Sequence, residues 1–199
     1  AAVGIDWGLD ALRRCRKSFP ALPVAVADLV ALGVKDGAVA VYLSLGVVEH
    51  DPDGPDLILR EAYRVLAPGG RLILSVPYLN GVRRVFRPYV SWRQARLRRE
   101  GAAFYQYVFT RREVRAFLDA GGFRVLSLTP YDPARILRKA PLTFILSPLR
   151  GEGRVRGRGE GEGGAGIDGT LKRFARRLLY TPPLLRLLGH MILAVAVKR

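Results

Sequence analysis

The chain has one cysteine, Cys15, two histidines, His50 and His190, and a single methionine among 199 residues. One cysteine excludes an internal disulfide framework and fits a reducing, cytoplasmic setting. So few sulfur and imidazole ligands, so far apart, exclude a histidine–cysteine metal cluster. No apolar run approaches the roughly 18 residues expected of a membrane-spanning helix, and no secretory signal is evident, since the sequence opens directly on the strand-like AAVGID. Lysine is scarce too: 5 lysines stand against 28 arginines.

What is present is an unevenly distributed charge. Residues 1–80 hold 8 Lys/Arg and 9 Asp/Glu, whereas residues 81–199 hold 25 and 8, so the net charge of +16 belongs to the second part. A field of that sign attracts nucleic acid, anionic lipid or a phosphorylated substrate and says nothing about fold. An apolar content of 49 % is ample for one α/β core.

The chain is organised around residues 38–80. Ala38 to Leu45 is a continuous apolar run of strand length, the pattern of a parallel strand buried on both faces. A helix is expected next, with Asp51, Asp53 and Pro55 supplying cap and first-turn chemistry and Leu57, Ile58, Ala62, Val65 and Leu66 at helical spacing. Pro68-Gly69-Gly70 stops it, and Arg71 to Val76 reads as a second buried strand. The unit is therefore a βαβ crossover whose functional edge, Ser44 to His50 and Pro77 to Asn80, lies where the strands end. Ahead of it come a strand from Ala1 to Asp6, a helix from Leu9 to Lys17 and a strand from Val24 to Ala27 that ends at Asp28. A carboxylate at a strand's carboxyl end is an acceptor pair suited to a vicinal diol. Asp6 serves either that role or as a cap for the next helix, with Trp7 either against a ligand or in the core.

The second part is read in pieces. Residues 81–100 carry seven arginines among Val, Phe, Tyr and Trp, divided by Pro88 into two short amphipathic pieces. Residues 81–109 are either a basic lid insertion or a solvated basic helix pair, and such faces suit a membrane surface or a phosphate-bearing ligand. Thr110 with Glu113 forms a capping box ahead of a helix that ends at Gly121-Gly122, and Phe123 to Thr129 is a strand. Residues 133–189 are an insertion, of which 150–169 is expected to be disordered, because GEGRVRGRGEGEGGAG has almost no large apolar group. Glu152, Glu160 and Glu162 dilute its cationic character, so a linker is preferred over nucleic-acid binding. Leu171 to Leu188 is a basic amphipathic helix pair, and His190 to Lys198 is a last apolar strand, with His190 in its turn.

The run LSLGVVEHDPD followed by LREAYRVLAPGGRLILSVP resembles the class I S-adenosylmethionine-dependent methyltransferases, especially the group containing ubiquinone- and menaquinone-type enzymes. The order F-T-x-x-E to G-F near residues 109–123 and the terminal G-H-M-x-L-x-V-A-x-K are similar to members of the same group. The resemblance implies a Rossmann-like, mostly parallel α/β sheet with an antiparallel last strand, built from residues 1–132 and 190–199. It also implies S-adenosylmethionine as cofactor: Asp6 for the ribose hydroxyls with Trp7 beside it, Asp28 for the adenine amino group with the Leu29 amide on the ring, and Ser44, Leu45 and Gly46 along the methionine end. The family's first, central strand and its D-x-G-x-G-x-G loop are expected before Ala1. Either the sequence is a fragment of a longer gene product, N-terminally truncated and impaired in activity, or the cofactor site has been lost.

Three functions follow. The first is methyl transfer to a small-molecule or lipid-precursor acceptor, with peripheral membrane contact through the basic segments. His50 is then the candidate general base, since imidazole titrates near neutral pH; alternatively Glu49 and His50 only cap the next helix and order the loop. The second is a noncatalytic, degenerate Rossmann-like remnant. The third, resting on charge alone, is nucleic-acid binding.

Overall fold

The structure, a computed structural model, describes residues 2–86, 88, 104–133, 177 and 179–199. The expected basic helices between residues 87 and 103, apart from residue 88, and residues 134–176 and 178 of the 133–189 insertion, with its glycine-rich stretch, lie outside the described residues. The elements run β1 (Gly4–Asp6), α1 (Leu9–Ser18), β2 (Val24–Val26), β3 (Val39–Leu45), α2 (Asp56–Val65), β4 (Leu66–Pro77), α3 (Gly81–Val85), α4 (Arg111–Ala120), β5 (Phe123–Tyr131), α5 (Pro182–Leu188) and β6 (Met191–Lys198).

Among the described residues six strands form two sheets, a two-stranded β1–β2 pair and a four-stranded sheet in the order β3–β4–β6–β5. β1 and β2 are parallel, as are β3 and β4, while β6 runs antiparallel to both β4 and β5. Only the last strand is therefore reversed within its sheet. That is the mostly parallel α/β arrangement with an antiparallel final strand.

Burial follows from helical spacing. Ile58, Leu59, Ala62 and Val65 turn one face of α2 inward, and Val114 and Leu118 do the same for α4, packing with Leu72, Leu74, Val76, Phe123, Ile192, Ala194 and Ala196 into the core. The capping box on α4 is present: the Thr110 hydroxyl accepts from the Glu113 amide while the Glu113 carboxylate accepts from the Thr110 amide. α2 differs from expectation, for Pro55 is its N-cap and no side chain caps it. Asp51 instead accepts from the Asp53 amide, which closes the preceding turn. α2 also ends at Val65, before the Pro-Gly-Gly, because the chain is already paired to β3 from Leu66 onward. At Gly70 a Cβ would lie 2.8 Å from the Ala67 carbonyl and 3.2 Å from that of Ala40, so close approach to β3 requires glycine there. At the other end of the unit, Lys198 donates at 2.7 Å to the carbonyls of both Tyr63 and Leu66, satisfying acceptors at the α2 C-terminus.

One expectation fails. β3 is not buried on both faces: Val41, Leu43 and Leu45 are 48, 63 and 58 % exposed, whereas Ser44 on the other face is buried. The reason is that β3 pairs only with β4, so one edge of the strand has no neighbouring strand among the described residues.

The link between the small β1–α1–β2 unit and the larger sheet is made by Glu61. Its carboxylate accepts from the Leu32 amide at 2.7 Å and from the Arg64 guanidinium at 2.7 and 2.8 Å, and Arg64 also binds Asp36. The Arg64 hydrogen bond chiefly holds the Glu61 carboxyl down at about 2. A carboxylate with a folded value below its unfolded one stabilises the fold above the unfolded value and loses that contribution as pH falls toward the folded one. Replacing Glu61 by Ala should therefore cost about 2 kcal/mol at neutral pH. Urea unfolding should show that difference constant above the ordinary carboxylate range and shrinking as pH falls toward 2.

Candidate functional site

The carboxyl ends of the strands carry the polar groups, as expected of a sheet of this type. At the end of the small sheet, Asp6 pairs with Val26 in the ladder and its carbonyl accepts from the Ala27 amide, which places Asp28 beside the same edge. Each carboxylate uses one oxygen locally: Asp6 Oδ1 accepts from the Gly8 amide at 2.7 Å and Asp28 Oδ1 accepts from the Val30 amide at 3.0 Å. Asp6 thus orders the turn into α1, and its second oxygen makes no hydrogen bond among the described residues. Trp7 is 80 % exposed, which removes the core alternative for it, while Leu29 is half-buried against the main core.

At the end of the large sheet, β3 stops at Leu45 and turns at Gly46, whose φ of +74° is a left-handed conformation that favours glycine. The Gly46 amide donates to the Ser75 carbonyl at 3.0 Å, joining the β3 and β4 ends. Ser44 is buried and Leu45 exposed. The structure therefore groups Ser44, Leu45 and Gly46 in one place and Asp6 and Asp28 in another. It does not join the two groups in one ladder, because β1 and β3 belong to different sheets.

Val48–His50 is a single 3-10 turn, separated from α2 by the Asp51–Pro55 segment, so Glu49 and His50 do not cap that helix. They hold the chain around residues 105–107 instead. His50 Nδ1 lies 2.8 Å from the Tyr105 carbonyl, with the two rings edge-to-face at 5.6 Å, and the Glu49 carbonyl accepts from the Tyr107 amide. A carbonyl can only accept, so the His50 proton on that side sits on Nδ1 and the exposed ring leaves Nε2 with a lone pair.

Glu49 is the residue that the motif contained but its chemistry did not reveal. It is 2 % exposed, its Oε2 has no hydrogen-bond partner among the described residues, and a Cβ on Gly46 would lie 3.6 Å from its Oε1. Burial pushes its carboxyl above the ordinary range. A buried acceptor without a donor, under the glycine turn that ends β3, suits a cationic or hydrogen-bonding ligand at that edge. No sequence signal distinguishes such a glutamate from a solvated one.

Farther along the edge, Asn80 caps α3 and donates to the Gly189 carbonyl at 2.9 Å. The buried Arg83 guanidinium donates to the Tyr78 carbonyl at 3.1 Å and lies 2.8 Å from His190 Nδ1. His190 is thus tied into the turn before β6, as its position suggested. Among the described residues no group of three or more His, Cys, Asp or Glu could hold a metal ion, and no helix is long and apolar enough to cross a membrane. A carboxylate with a buried orphan oxygen costs stability in the free protein, so Glu49→Gln should raise stability by about 1 kcal/mol at neutral pH. Because its folded value is raised, Glu49 weakens the fold as pH rises above the unfolded value. The urea midpoint of the variant should therefore exceed that of the parent at pH 7 and converge with it in acid.

Residues 1–74 match the family model described as "Methyltransferase domain". An arsenite methyltransferase of Aquipseudomonas alcaligenes is 45 % identical over 53 residues, 27 % of this chain and 15 % of that protein. A demethylmenaquinone methyltransferase of Streptomyces avermitilis is 35 % identical over 92 residues, 44 % of this chain and 39 % of its own. The chain thus spans well under half the length of these curated relatives. Among solved structures, an S-adenosylmethionine-dependent methyltransferase of Methanosarcina mazei aligns with 98 % of this chain and 81 % of its own at a TM-score of 0.62 and 15 % identity. Another from Archaeoglobus fulgidus aligns with 98 % and 75 % at 0.56 and 13 %. The cofactor of this family and fold is S-adenosylmethionine, and the strand-end carboxylates and the glycine turn are groups that fit it. Residues 1–74 match the methyltransferase domain family, and the chain has the fold of the class I S-adenosylmethionine-dependent methyltransferases.

Proposed function

We propose that this protein transfers the sulfonium methyl group of S-adenosylmethionine to a small-molecule or lipid-precursor acceptor. The observation that carries the reading is the pair of carboxylates, Asp6 and Asp28, at the ends of two adjacent parallel strands, each with one oxygen engaged in a local turn and the other without a hydrogen bond among the described residues. In this reading Asp6 takes the ribose hydroxyls with Trp7 beside it, and Asp28 takes the adenine amino group with Leu29 on the ring. Ser44, Leu45 and Gly46 line the methionine end. S-adenosylmethionine supplies an electrophilic methyl group, and the chain's own residues bind and orient. His50 is the candidate base for an acceptor that must lose a proton, because its contact to the Tyr105 carbonyl leaves Nε2 as the accepting atom.

The likeness to the Streptomyces avermitilis demethylmenaquinone methyltransferase supports a lipid-precursor acceptor. The concentration of positive charge in residues 81–199 supports peripheral contact with an anionic membrane.

Saturation-transfer NMR on residues 1–199 with S-adenosylmethionine tests the cofactor assignment, since it detects weak binding. The adenine and ribose protons should receive saturation from the protein. Asp6→Asn and Asp28→Asn, which keep the local acceptor oxygens, should each reduce the signal several-fold. A parent chain that transfers no saturation would sink the assignment of cofactor binding to residues 1–199, and the same result with the upstream coding sequence restored would sink the enzyme reading. Retention of the full signal in both variants would sink the assigned residues.

A further inference from the structure

Residues 104–109 form a strap at the carboxyl edge of the large sheet, and its two ends are held in different ways. At one end the Phe109 amide donates to the Pro77 carbonyl at 2.9 Å, the Leu79 amide donates to the Phe109 carbonyl at 2.8 Å, and the buried Phe109 ring meets Phe117 edge-to-face at 5.3 Å. That end belongs to the core. At the other end, every hydrogen bond that residues 104–107 make among the described residues goes to the segment from Glu49 to Pro52. The Tyr107 amide donates to the Glu49 carbonyl at 2.8 Å, the Tyr107 hydroxyl donates to the Pro52 carbonyl at 2.7 Å, and His50 Nδ1 donates to the Tyr105 carbonyl at 2.8 Å. The strap is therefore hinged at Phe109 and latched at residues 49–52.

The latch contains a polar group that the closed arrangement leaves unsatisfied. Glu49 is almost wholly buried, and its Oε2 is sealed from solvent without a hydrogen-bond partner among the described residues. A ligand or chain segment laid against the outside cannot partner a sealed atom; something that covers it must first move. Gly46 is tied to the Ser75 carbonyl and Val48 is fully buried in the core, so neither moves without breaking the sheet end or the core. Residues 104–107 can leave with the loss of three hydrogen bonds and no strand pairing.

Protonated, the Glu49 carboxyl costs the closed form one unmade hydrogen bond; ionised, it is a buried charge without a donor. The groups around it offer little compensation. Its own turn carries His50, with Asp51 and Asp53 following; the strap brings the phenols of Tyr105 and Tyr107 and no ion, and the end of β4 brings Tyr78. Burial accordingly pushes the Glu49 carboxyl above its ordinary range, against smaller opposing pulls from a backbone hydrogen bond and from His50.

We propose that residues 104–107 are a pH-gated strap, closed on the Val48–His50 turn while Glu49 carries its proton and released about Phe109 when the carboxyl gives that proton to solvent and takes water as its hydrogen-bond donor. Closure favours the protonated carboxyl, so it weakens as pH rises from the ordinary carboxylate range to the raised value. His50 Nδ1 donates to the Tyr105 carbonyl whether the ring is neutral or charged, so titration of the histidine leaves that bond in place. Release uncovers the Glu49 carboxylate beside Gly46 and frees the His50 ring. The gate is independent of methyl transfer.

The test uses residues 1–199 in NMR, with the Glu49 carboxyl carbon and the His50 ring followed from about pH 4 to about pH 8 and amide exchange corrected for its intrinsic pH dependence. The protection factor of the Tyr107 amide should fall at least about tenfold with the midpoint of the Glu49 carboxyl, while amides of α4 and β5 hold theirs. In Glu49→Gln, which cannot ionise, Tyr107 protection should stay level over the same range. Level protection in the parent would overturn the proposal, as would an undiminished fall in the variant. A fall whose midpoint follows the His50 ring instead of the Glu49 carboxyl would overturn it in the parent alone, whether or not the variant folds.

Discussion

The carboxylate of Glu61 is the point on which the relation between the two halves of the structure depends. It sits on the helix of the βαβ unit, yet it is spent on a backbone amide 29 residues earlier and on the guanidinium one turn later. Buried carboxylates are tolerable only when both oxygens are matched, and here both are. The same Arg64 that neutralises Glu61 also binds Asp36 in the loop leading into β3. A three-residue cluster thereby fixes the chain from Leu32 to Gly37 on α2, and with it the start of the organising strand. The Gly37 amide adds a hydrogen bond to the Arg64 carbonyl at 3.0 Å, so the position of the β1–α1–β2 unit relays through this cluster.

Against that well-matched carboxylate stands Glu49, one of whose oxygens has no hydrogen-bond partner among the described residues. The two glutamates show opposite shifts for opposite reasons: hydrogen bonds to a cation lower one, and desolvation raises the other. One is an architectural group. The other sits beside the glycine turn where the strand ends, in the place where sheets of this kind bind ligands. A fold can carry such an uncompensated group at the expense of some stability, and functional edges are where that cost is usually met.

Most of the fold was legible in the sequence because its signals are local. The apolar stripe of α2, the Thr110–Glu113 box and the strand runs ending at Asp6, Leu45 and Val76 each announce their element through spacing alone. What was not legible depends on neighbours. The apolar run of β3 reads as doubly buried because composition cannot report which of its faces another layer covers among the described residues. Asp51 and Asp53 read as caps, but the helix starts later and Asp51 serves the turn before it. At the site, the strand-end carboxylates were legible from type and position, whereas the roles of Glu49 and His50 in holding residues 105–107 involve partners more than fifty residues away.

The placement of β6 has a consequence for how the protein reaches this structure. β5 is made before β6, but in the sheet β6 lies between β4 and β5 and pairs with both. Until β6 exists, β5 has no strand to join and the buried face of α4 has only part of its platform. The sheet beyond β4 is therefore assembled in one late step, when a single apolar strand inserts between two waiting edges and Lys198 engages the end of α2. Pairings so distant in sequence close slowly, and the waiting edges are open to wrong partners in the interval.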